Sequence, residues 1–545
     1  MTVRRIMGAE TEFGILAPGN PKANSTLLST RAVTAYAALV ARELGSRADR
    51  TVDFDYSSET PLRDARGFEM DRAQAHPTQL TDVAPVLTSE EIAAEALTES
   101  GLWSEQTPQV VMNTVLPNGA RLYVDHSHPE YSSPEVLTPR DAALYDLAGD
   151  RVAAEIVATL HATAEVGDQE QVLLHKNNTD GKSSSYGTHE NYTVPRDIDD
   201  DALTAALLPF FASRQVMCGA GRVGLGPGSE RAGFQISQRA DFFERMVGLE
   251  TTVRRPIVNT RDEPHADQKR YRRLHVIIGD ANLSHWAQVL KFGTTSLVLR
   301  LVEQGLQPRI ELTEPVLALH RISHDPSLQV AVGRRDGGPL TGLQIQRMYL
   351  EAAEDMESAD GASPDPETAE VLQMWRETLD TLETDPMAMA DRLDWLAKLK
   401  LLLGYRERGG LGWDDPKLAM IDLQYHDVRP DKSLYSKLES AGRMRRLFDE
   451  QEIRAAMWTP PADTRADFRG RLVARFPDDV IAAGWETIAV ELPGLRRGAR
   501  ITMPEPTELT REQTQDWWAA ADIEEFIERM QRERPDLVEI SARIG

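Results

Sequence analysis

Two glutamates near the N-terminus are the first side chains that could do chemistry. Glu10 and Glu12 lie two residues apart in a stretch, residues 5–15, whose pattern predicts a short strand. Side chains two apart on a strand point to the same face, so both carboxylates would converge on one point. That arrangement suits a hard divalent cation such as Mg²⁺. Taken alone, an ordinary exposed strand face explains such a pair more often than a metal site does.

A second group of polar side chains alternates with apolar ones along residues 120–125. Arg121, Tyr123 and Asp125 are separated by Leu122 and Val124, which predicts a strand with one polar and one apolar face. A row of polar groups on an interior strand indicates a cleft rather than a solvated edge. A solvent-facing strand of an antiparallel sheet explains the pattern nearly as well.

Two later segments place histidine beside amide and charged residues. His189 and Asn191 lie in a Gly/Ser-rich stretch, residues 184–192, that could bind a metal or a phosphate, although a polar hairpin has the same composition. Arg273 and His275 lie two apart, so they share a face where an apolar strand is predicted over residues 274–278. An arginine on a nucleotide phosphate beside a histidine on its metal would fit, and a solvated basic face is the commoner alternative.

These residues need a scaffold, and the periodicity predicts one that mixes strands and helices. Helices are predicted at about residues 30–44, from Thr88 onward, at 141–166 and 285–304, and over 340–405 with an interruption at 357–366. A long loop is predicted over about 45–80, and a strand at 171–176. A break at 459–463 indicates a small C-terminal α+β domain, with a strand at 486–492 and a final helix at 511–534.

Composition excludes several classes of protein. The 545 residues are 41% hydrophobic, with a mean hydropathy of −0.41 and no stretch of about 20 apolar residues, so we expect a cytoplasmic protein rather than a membrane protein. The net charge of −25 argues against duplex-DNA binding.

No Gly-x-x-x-x-Gly-Lys-Ser/Thr, His-Glu-x-x-His or Gly-x-Ser-x-Gly motif occurs, and GAGRVG at 219–224 reads as a turn. The single thiol, Cys218, is not expected to act as a nucleophile.

The order of these segments resembles the Pup ligase and depupylase family, which is related to carboxylate-amine ligases of the glutamine synthetase type. The resemblance rests on RIMGAETEFG at residues 5–14, NGARLYVD at 118–125, SHPEY at 127–131, KNNTD at 176–180, HEN at 189–191, TRDEPHAD at 260–267, YRRLHV at 271–276 and DLQYHD at 422–427. A long loop after the first helix is typical of the depupylases in this family, and this chain has it, with ETPLRDARGF at 59–68. The longer spacer between about Ala73 and Gln109 departs from the family pattern.

The resemblance implies an α+β fold. A glutamine synthetase-like twisted antiparallel sheet would form a cradle packed on helices over residues 1–465, followed by a small C-terminal α+β domain over 466–545. ATP and Mg²⁺ are the implied cofactors. By the family pattern, the metal ligands are Glu10, Tyr123, Glu130, His189 and His275. The nucleotide contacts are Arg121, Ser133, Asn191, Arg273 and Trp485. Asp125 would be catalytic, either as a nucleophile or as the base that activates water.

The implied activity is hydrolysis: deamidation of the C-terminal Gln of Pup, a ubiquitin-like protein, and cleavage of the isopeptide bond between Pup and a substrate lysine. We expect Pup and pupylated proteins as partners, neither nucleic acid nor membrane, and a monomer. Because Pup is acidic, a basic docking groove is expected. The candidates for that groove are Arg254, Arg255, Arg261, Lys269, Arg270 and Arg272. The alternatives are a Pup–protein ligase and a non-catalytic Pup- or nucleotide-binding regulator.

Overall fold

The computed structural model describes residues 2–46, 51–83, 86–88, 110–164, 171–181, 183–359, 364–495 and 497–541. The helix expected from Thr88 and most of the spacer up to Gln109 lie outside these residues. The helices are α1 (Ser25–Leu44), α2 (Pro139–Ala164), α3 (Asp200–Cys218), α4 (His285–Gln304), α5 (Pro315–Ser323), α6 (Gly342–Ala359), α7 (Pro366–Thr384), α8 (Asp394–Gly409), α9 (Pro416–Tyr425), α10 (Leu434–Ser440), α11 (Glu450–Ala456), α12 (Ala466–Arg475), α13 (Arg511–Thr514) and α14 (Ile523–Glu533).

The strands fall into one large sheet, one smaller sheet and several two-stranded pairs. They are β1 (Met7–Glu12), β2 (Gly14–Leu16), β3 (Asp53–Phe54), β4 (Arg63–Asp64), β5 (Phe68–Glu69), β6 (Asn113–Val115), β7 (Arg121–Asp125), β8 (His128–Ser132), β9 (Leu173–His175), β10 (Thr188–Pro195), β11 (Arg222–Leu225), β12 (Arg231–Gln235), β13 (Phe243–Gly248), β14 (Arg255–Asn259), β15 (Tyr271–Val276), β16 (Ala331–Arg334), β17 (Gly337–Thr341), β18 (Val480–Ala483), β19 (Thr487–Leu492), β20 (Arg497–Thr502) and β21 (Val538–Ser541). The predicted α+β fold class is therefore confirmed.

The large sheet has six strands in the order β15-β10-β1-β8-β7-β6, and every pair in it is antiparallel. The N-terminal strand β1 lies near its middle, between β10 and β8. The register sets Glu10 opposite both His189 and Ser132, and Glu12 opposite Glu130. Residues from distant parts of the sequence are thereby placed side by side on one face.

One face of this sheet packs on helices and the other is open. In β7, Leu122 and Val124 are buried against the helical side, whereas Tyr123 and Asp125 are only partly buried, as the alternation predicted. Helices α1 and α2 contact β1, β7 and β8 from behind, and α4 contacts β10. Each fully buried aliphatic side chain contributes about 1.5–3 kcal/mol, so a shift of one residue in register, which would turn these residues outward, is strongly disfavoured.

Buried ion pairs also join the helices to the strands they pack against. The Lys176 ammonium, which is fully buried, lies 2.7 Å from Asp146 and 2.8 Å from Asp150 on α2. Arg214 on α3 pairs with Glu190 on β10 at 2.7 Å. Removing one partner of such a pair would leave an uncompensated buried charge, which costs about 3–5 kcal/mol. These pairs therefore fix α2 relative to the end of β9, and α3 relative to β10 of the large sheet.

The C-terminal sheet has five strands in the order β21-β20-β19-β18-β3. Its outer strand, β3, comes from residues 53–54 and pairs in parallel with β18. The predicted long loop over residues 45–80 is therefore not wholly irregular, since it contributes β3 to this sheet and forms the β4–β5 hairpin. Phe54 packs in the same apolar cluster as Phe468 and Leu472, so the core of this unit crosses the boundary expected at residue 465. The division at 465 stays a prediction.

Several predicted boundaries differ from the observed ones because capping residues decide where helices begin and end. The first helix begins at Ser25, not at 30, because the Asn24 side chain accepts a hydrogen bond from the Leu27 amide. The helix predicted over 511–534 is interrupted, and α14 restarts after Asp522, which caps it. The stretch 340–405 begins with the end of β17 and contains three separate helices. Within the described residues, no helix has the length and apolar character needed to cross a membrane.

Candidate active site in the sheet cradle

The open face of the large sheet lines a cavity of about 600 Å³. The predicted site residues on its wall are Glu10, Arg121, Tyr123, Asp125, Glu130, His189, Arg273, His275 and Trp485. The other two, Ser133 and Asn191, line an adjoining cavity of about 80 Å³ that shares Glu10, Arg273 and Trp485 with the first. The structure thus brings together all of the residues predicted from the sequence. Alternation and antiparallel pairing place those of the large sheet on one face, and Trp485 reaches the cavities from the C-terminal unit.

Glu10, His189 and His275 form the first cluster that could hold a cation. One ligand atom from each lies within 4.8 Å of the others. Glu10 Oε2 is 3.3 Å from His189 Nδ1, and His275 Nδ1 lies 2.9 Å from Asn191 Oδ1. Burial opposes ionisation of Glu10, but the hydrogen bond from His189 and the charge of Arg273 hold its pKa well below the usual range. Burial lowers the pKa of His275 well below its usual value, which leaves it neutral as a metal ligand must be.

Glu12, Asp125 and Glu130 form the second cluster, with ligand atoms again within 4.8 Å of one another. Burial and the charges of Asp125, Glu12 and Glu10 raise the pKa of Glu130 well above its usual value. A divalent cation at this point would offset that repulsion, and an all-oxygen ligand set is the kind that Mg²⁺ prefers. Tyr123, a predicted ligand, donates its hydroxyl to Glu130.

The predicted nucleotide contacts lie beside these clusters. The Arg121 guanidinium stacks between two rings, 3.7 Å from the centroid of Phe54 and 3.8 Å from that of Tyr123. Arg273 lies at the other side, where its Nη2 donates to Glu263 Oε2 at 3.0 Å. Two arginines on opposite sides of a cavity suit a polyphosphate, because a guanidinium is always charged and presents several donors.

Ser133 and Trp485 have structural partners of their own. The Ser133 hydroxyl accepts a hydrogen bond from the Ala9 amide at 2.9 Å. The Trp485 ring packs on Phe54 and lies 6.2 Å from the ring of His265, while its carbonyl accepts from Arg469 at 3.2 Å. Trp485 therefore closes one side of both cavities from the C-terminal unit, and its contact with a nucleotide stays a prediction.

A third group was missed in the sequence. Glu59, Glu263 and His265 also place ligand atoms within 4.8 Å of one another at the cavity wall. Burial and the charge of Glu263 raise the pKa of Glu59 to about 8. Glu263 and His265 belong to the TRDEPHAD motif, and Glu59 is the first residue of ETPLRDARGF in the predicted loop, so both motifs could have drawn attention to these residues. Glu12 was noticed beside Glu10 but was not assigned to the ligand set.

His126 was also missed, although it follows Asp125 directly. Its Nδ1 lies 2.7 Å from Asp125 Oδ2. Burial alone would lower the pKa of His126, but the charge and the hydrogen bond of Asp125 raise it to about 9. The imidazole is therefore protonated at neutral pH, and a cation stands beside the expected catalytic carboxylate.

The expected basic groove does not form as one exposed surface. Arg272 points to the helical side of the sheet and pairs with Asp200, because it alternates with the cavity-facing Arg273 and His275. Arg261 is drawn into the cavity wall beside Glu263, and Arg270 pairs with Glu505 at 2.6 Å. The groove assignment was wrong for Arg261 and Arg272, whose guanidinium groups are not available to a partner at the surface.

Comparisons with known proteins agree on one family. The family model described as Pup-ligase protein matches residues 5–489. A depupylase from Acidothermus cellulolyticus is 48% identical over 93% of this chain and 95% of its own length. A Pup deamidase/depupylase from Mycobacterium tuberculosis is 48% identical over 90% of this chain and 92% of its own. A Pup–protein ligase from Acidimicrobium ferrooxidans is 44% identical over 66% of this chain and 79% of its own.

Solved structures agree with the sequence relatives. The complex between the prokaryotic ubiquitin-like protein Pup and its ligase PafA matches with a TM-score of 0.72 and 30% identity, covering 97% of this chain and 95% of that one. The ligase PafA in complex with ADP matches with a TM-score of 0.67 and 35% identity, covering 78% of this chain and 91% of that one.

Proposed function

The chain belongs to the Pup-ligase protein family, and we propose that within it the chain is an ATP- and Mg²⁺-dependent amidohydrolase. It deamidates the C-terminal Gln of Pup and hydrolyses the isopeptide bond between Pup and substrate lysines. The observation that carries this proposal is the position of Asp125, which lies in a carboxylate cluster at the wall of a cavity flanked by Arg121 and Arg273. The depupylases from Acidothermus cellulolyticus and Mycobacterium tuberculosis match nine-tenths of the chain or more in sequence, whereas the ligase from Acidimicrobium ferrooxidans matches two-thirds.

The cavity residues would hold the cofactors. Glu12 and Glu130 offer oxygen ligands to one cation, and Glu10, His189 and His275 offer a second set. Tyr123, whose pKa burial raises well above its usual value, stays protonated and would contribute a neutral oxygen beside Glu130. Arg121 and Arg273 would contact the phosphates of ATP, and the likeness to an ADP-bound ligase supports a nucleotide here. Bound Mg²⁺ supplies a Lewis acid that stabilises charge developing on the scissile carbonyl oxygen.

Asp125 does the chemistry in this proposal. If its carboxylate attacks the amide carbon, the C–N bond breaks and leaves a mixed anhydride on Asp125, which water then hydrolyses; the proton that the leaving nitrogen gains comes from water. If it instead takes the proton of an attacking water, the same proton passes from Asp125 to the nitrogen as the C–N bond breaks. Deamidation and depupylation break the same bond type, a side-chain amide, so one arrangement of groups serves both. The two reactions differ only in whether the leaving group is ammonia or a lysine amine.

The test is hydrolysis of a fluorescent conjugate. The purified protein, incubated with Pup joined through an isopeptide bond to a labelled lysine protein, should release free Pup and label when ATP and Mg²⁺ are present. Pup ending in Gln should be converted to the Glu form, read by mass spectrometry. A parallel reaction with Pup ending in Glu, ATP and an unlabelled acceptor separates the ligase alternative. Accumulation of new conjugate with little release would reject the hydrolase, and the absence of both reactions would favour a binding regulator.

A further inference from the structure

The turn that follows Asp125 has an unusual residue in it. Strands β7 and β8 are joined by two residues, His126 and Ser127, with Asp125 paired opposite His128. His126 has a φ of 54°, which lies in the left-handed region. Two-residue hairpins that place a positive φ at this position normally use Gly, Asn or Asp. The backbone conformation therefore does not explain why this residue is a histidine, so the explanation must lie in the contacts of its side chain.

The His126 ring makes two hydrogen bonds, one on each nitrogen. Nδ1 bonds to Asp125 Oδ2 at 2.7 Å, and Nε2 bonds to the carbonyl oxygen of Thr78 at 3.1 Å. Both partners are acceptors, so the ring donates from both nitrogens. The turn is also fixed to α1, because the Ser29 hydroxyl donates a hydrogen bond to the Ser127 carbonyl at 2.8 Å. The ring is thus fixed between the end of β7 and the segment that contains Thr78.

That segment forms part of the cavity wall. Pro77, Thr78, Leu80 and Thr81 line the same cavity as Asp125. Residues 77–79 form a short 3-10 helix. The His76 side chain caps its N-terminus by accepting a hydrogen bond from the Thr78 amide. A single side chain therefore contacts both the expected reacting carboxylate and a wall of the cavity that is distant in sequence.

We propose that His126 is a positioning residue, which orients the Asp125 carboxylate and at the same time ties residues 77–81 to the β7–β8 turn at the wall of the cavity. The inference rests on the proposed function, because it takes Asp125 as the reacting group. Since the bond engages Oδ2, Oδ1 is the oxygen that meets the substrate. A backbone strained by a left-handed histidine is retained because the ring does both tasks, and strained residues of this kind cluster at functional sites.

Three substitutions separate the two hydrogen bonds from the turn. His126→Asn keeps a donor at the place of Nδ1 and accepts the left-handed backbone, but it does not reach Thr78. His126→Gly relieves the backbone strain and removes both bonds. His126→Gln reaches toward Thr78 and loses the bond to Asp125. His320→Asn is the matched control, because His320 Nε2 also bonds a backbone carbonyl, that of Phe243 at 3.0 Å, outside the cavity.

The readouts are kcat and KM for the Pup conjugate, the thermal midpoint, and deuterium uptake of residues 76–81. We expect His126→Gly to keep or raise the thermal midpoint while kcat falls about 10- to 100-fold, a loss that a merely structural residue would not show. His126→Asn should retain kcat within about threefold of wild type yet raise deuterium uptake in 76–81. His126→Gln should lose kcat, with less uptake than His126→Gly. His320→Asn should change neither readout.

Each part of the proposal would be overturned by a different result. Equal kcat in wild type, His126→Gly and His126→Asn would overturn the role in orienting Asp125. Unchanged deuterium uptake in His126→Gly would overturn the link to residues 77–81, and this measurement needs no substrate. If wild type itself fails to cleave the conjugate, the proposed function fails and the orienting role fails with it, whereas the exchange measurement still decides the link.

Discussion

Asn191 donates a hydrogen bond to Glu10 at 2.9 Å, so a predicted nucleotide contact holds a predicted metal ligand in place. The same amide also accepts through its oxygen from Arg273 at 3.1 Å and from His275 at 2.9 Å. One side chain therefore connects the first metal cluster with the arginine expected to meet the phosphates. Groups that orient ligands in this way often matter as much as the ligands themselves.

Asn191→Ala should weaken nucleotide and Mg²⁺ binding together. The substitution frees the Glu10 carboxylate and the Arg273 guanidinium at once, so we expect an affinity loss of about 10- to 100-fold for ATP in the presence of Mg²⁺. Isothermal titration with ATP at fixed Mg²⁺ measures it. Asn259→Ala provides the control, because Asn259 is a buried asparagine whose amide donates to Leu249 and Glu250 carbonyls. Unchanged ATP affinity in Asn191→Ala would reject the connecting role.

Asp125→Asn should abolish hydrolysis while leaving Pup binding intact. The amide has the shape of the carboxylate but can neither attack nor accept a proton, and such groups typically contribute 10²- to 10⁴-fold to the rate. We therefore expect release from the Pup conjugate to fall at least about 100-fold. Fluorescence anisotropy with labelled Pup supplies the binding control. A variant that hydrolyses at the wild-type rate would remove Asp125 from the mechanism.

Glu130→Gln should reduce the stabilisation that Mg²⁺ confers. Glu130 is buried among Asp125, Glu12 and Glu10, so a cation that neutralises these charges should raise the thermal midpoint of the wild type. Glutamine removes one charge and one strong ligand, and the rise on adding MgCl₂ should then shrink by half or more. Glu357→Gln, a buried glutamate on α6, is the control. An equal Mg²⁺ response in wild type and Glu130→Gln would exclude Glu130 as a ligand.

Glu59→Gln should stabilise the ligand-free protein at alkaline pH. Burial and the charge of Glu263 raise the pKa of Glu59 to about 8, whereas an unfolded chain releases that proton near pH 4.5. The folded form thus holds a proton that the unfolded form has lost, and stability falls as pH rises from about 4.5 to about 8.

Chemical denaturation of wild type and Glu59→Gln at pH 5 and pH 8 measures this effect. The two proteins should unfold at similar denaturant concentrations at pH 5, and the variant should be more stable by about 1–3 kcal/mol at pH 8. Glu528→Gln, on the exposed side of α14, should show no such pH-dependent difference. A constant difference between wild type and Glu59→Gln at both pH values would contradict the raised pKa.

Much of the candidate site was predictable because strands alternate with a period of two. Once Leu122 and Val124 are assigned to a core, Arg121, Tyr123 and Asp125 must share the opposite face, and the same holds for Arg273 and His275 against Leu274. The family resemblance then supplied the partners that come from other strands. The assignment of Arg272 to a surface groove ignored this alternation, which is why it was wrong.

The remaining features depend on contacts between distant parts of the chain. Strand β3 has only two residues, and its partner β18 lies more than 400 positions later, so no local sequence pattern predicts their pairing. Glu59 and Thr78 reach the cavity only because residues 51–83 fold back over the sheet. Sequence periodicity reflects only neighbours along the chain, so it does not predict contacts between segments that are far apart in sequence.

The pairing of β3 with β18 bears on how the protein is made. Asp53 and Phe54 are synthesised early, but their strand has no partner until Ala482 and Ala483 have been synthesised. Trp485, which completes the wall of the cavity, follows after that. A contact of such long sequence separation forms late, after most of the chain has been synthesised. A nascent chain would therefore hold an open, unfinished cradle until nearly the end of translation, and nucleotide could be enclosed only by a chain that is almost complete.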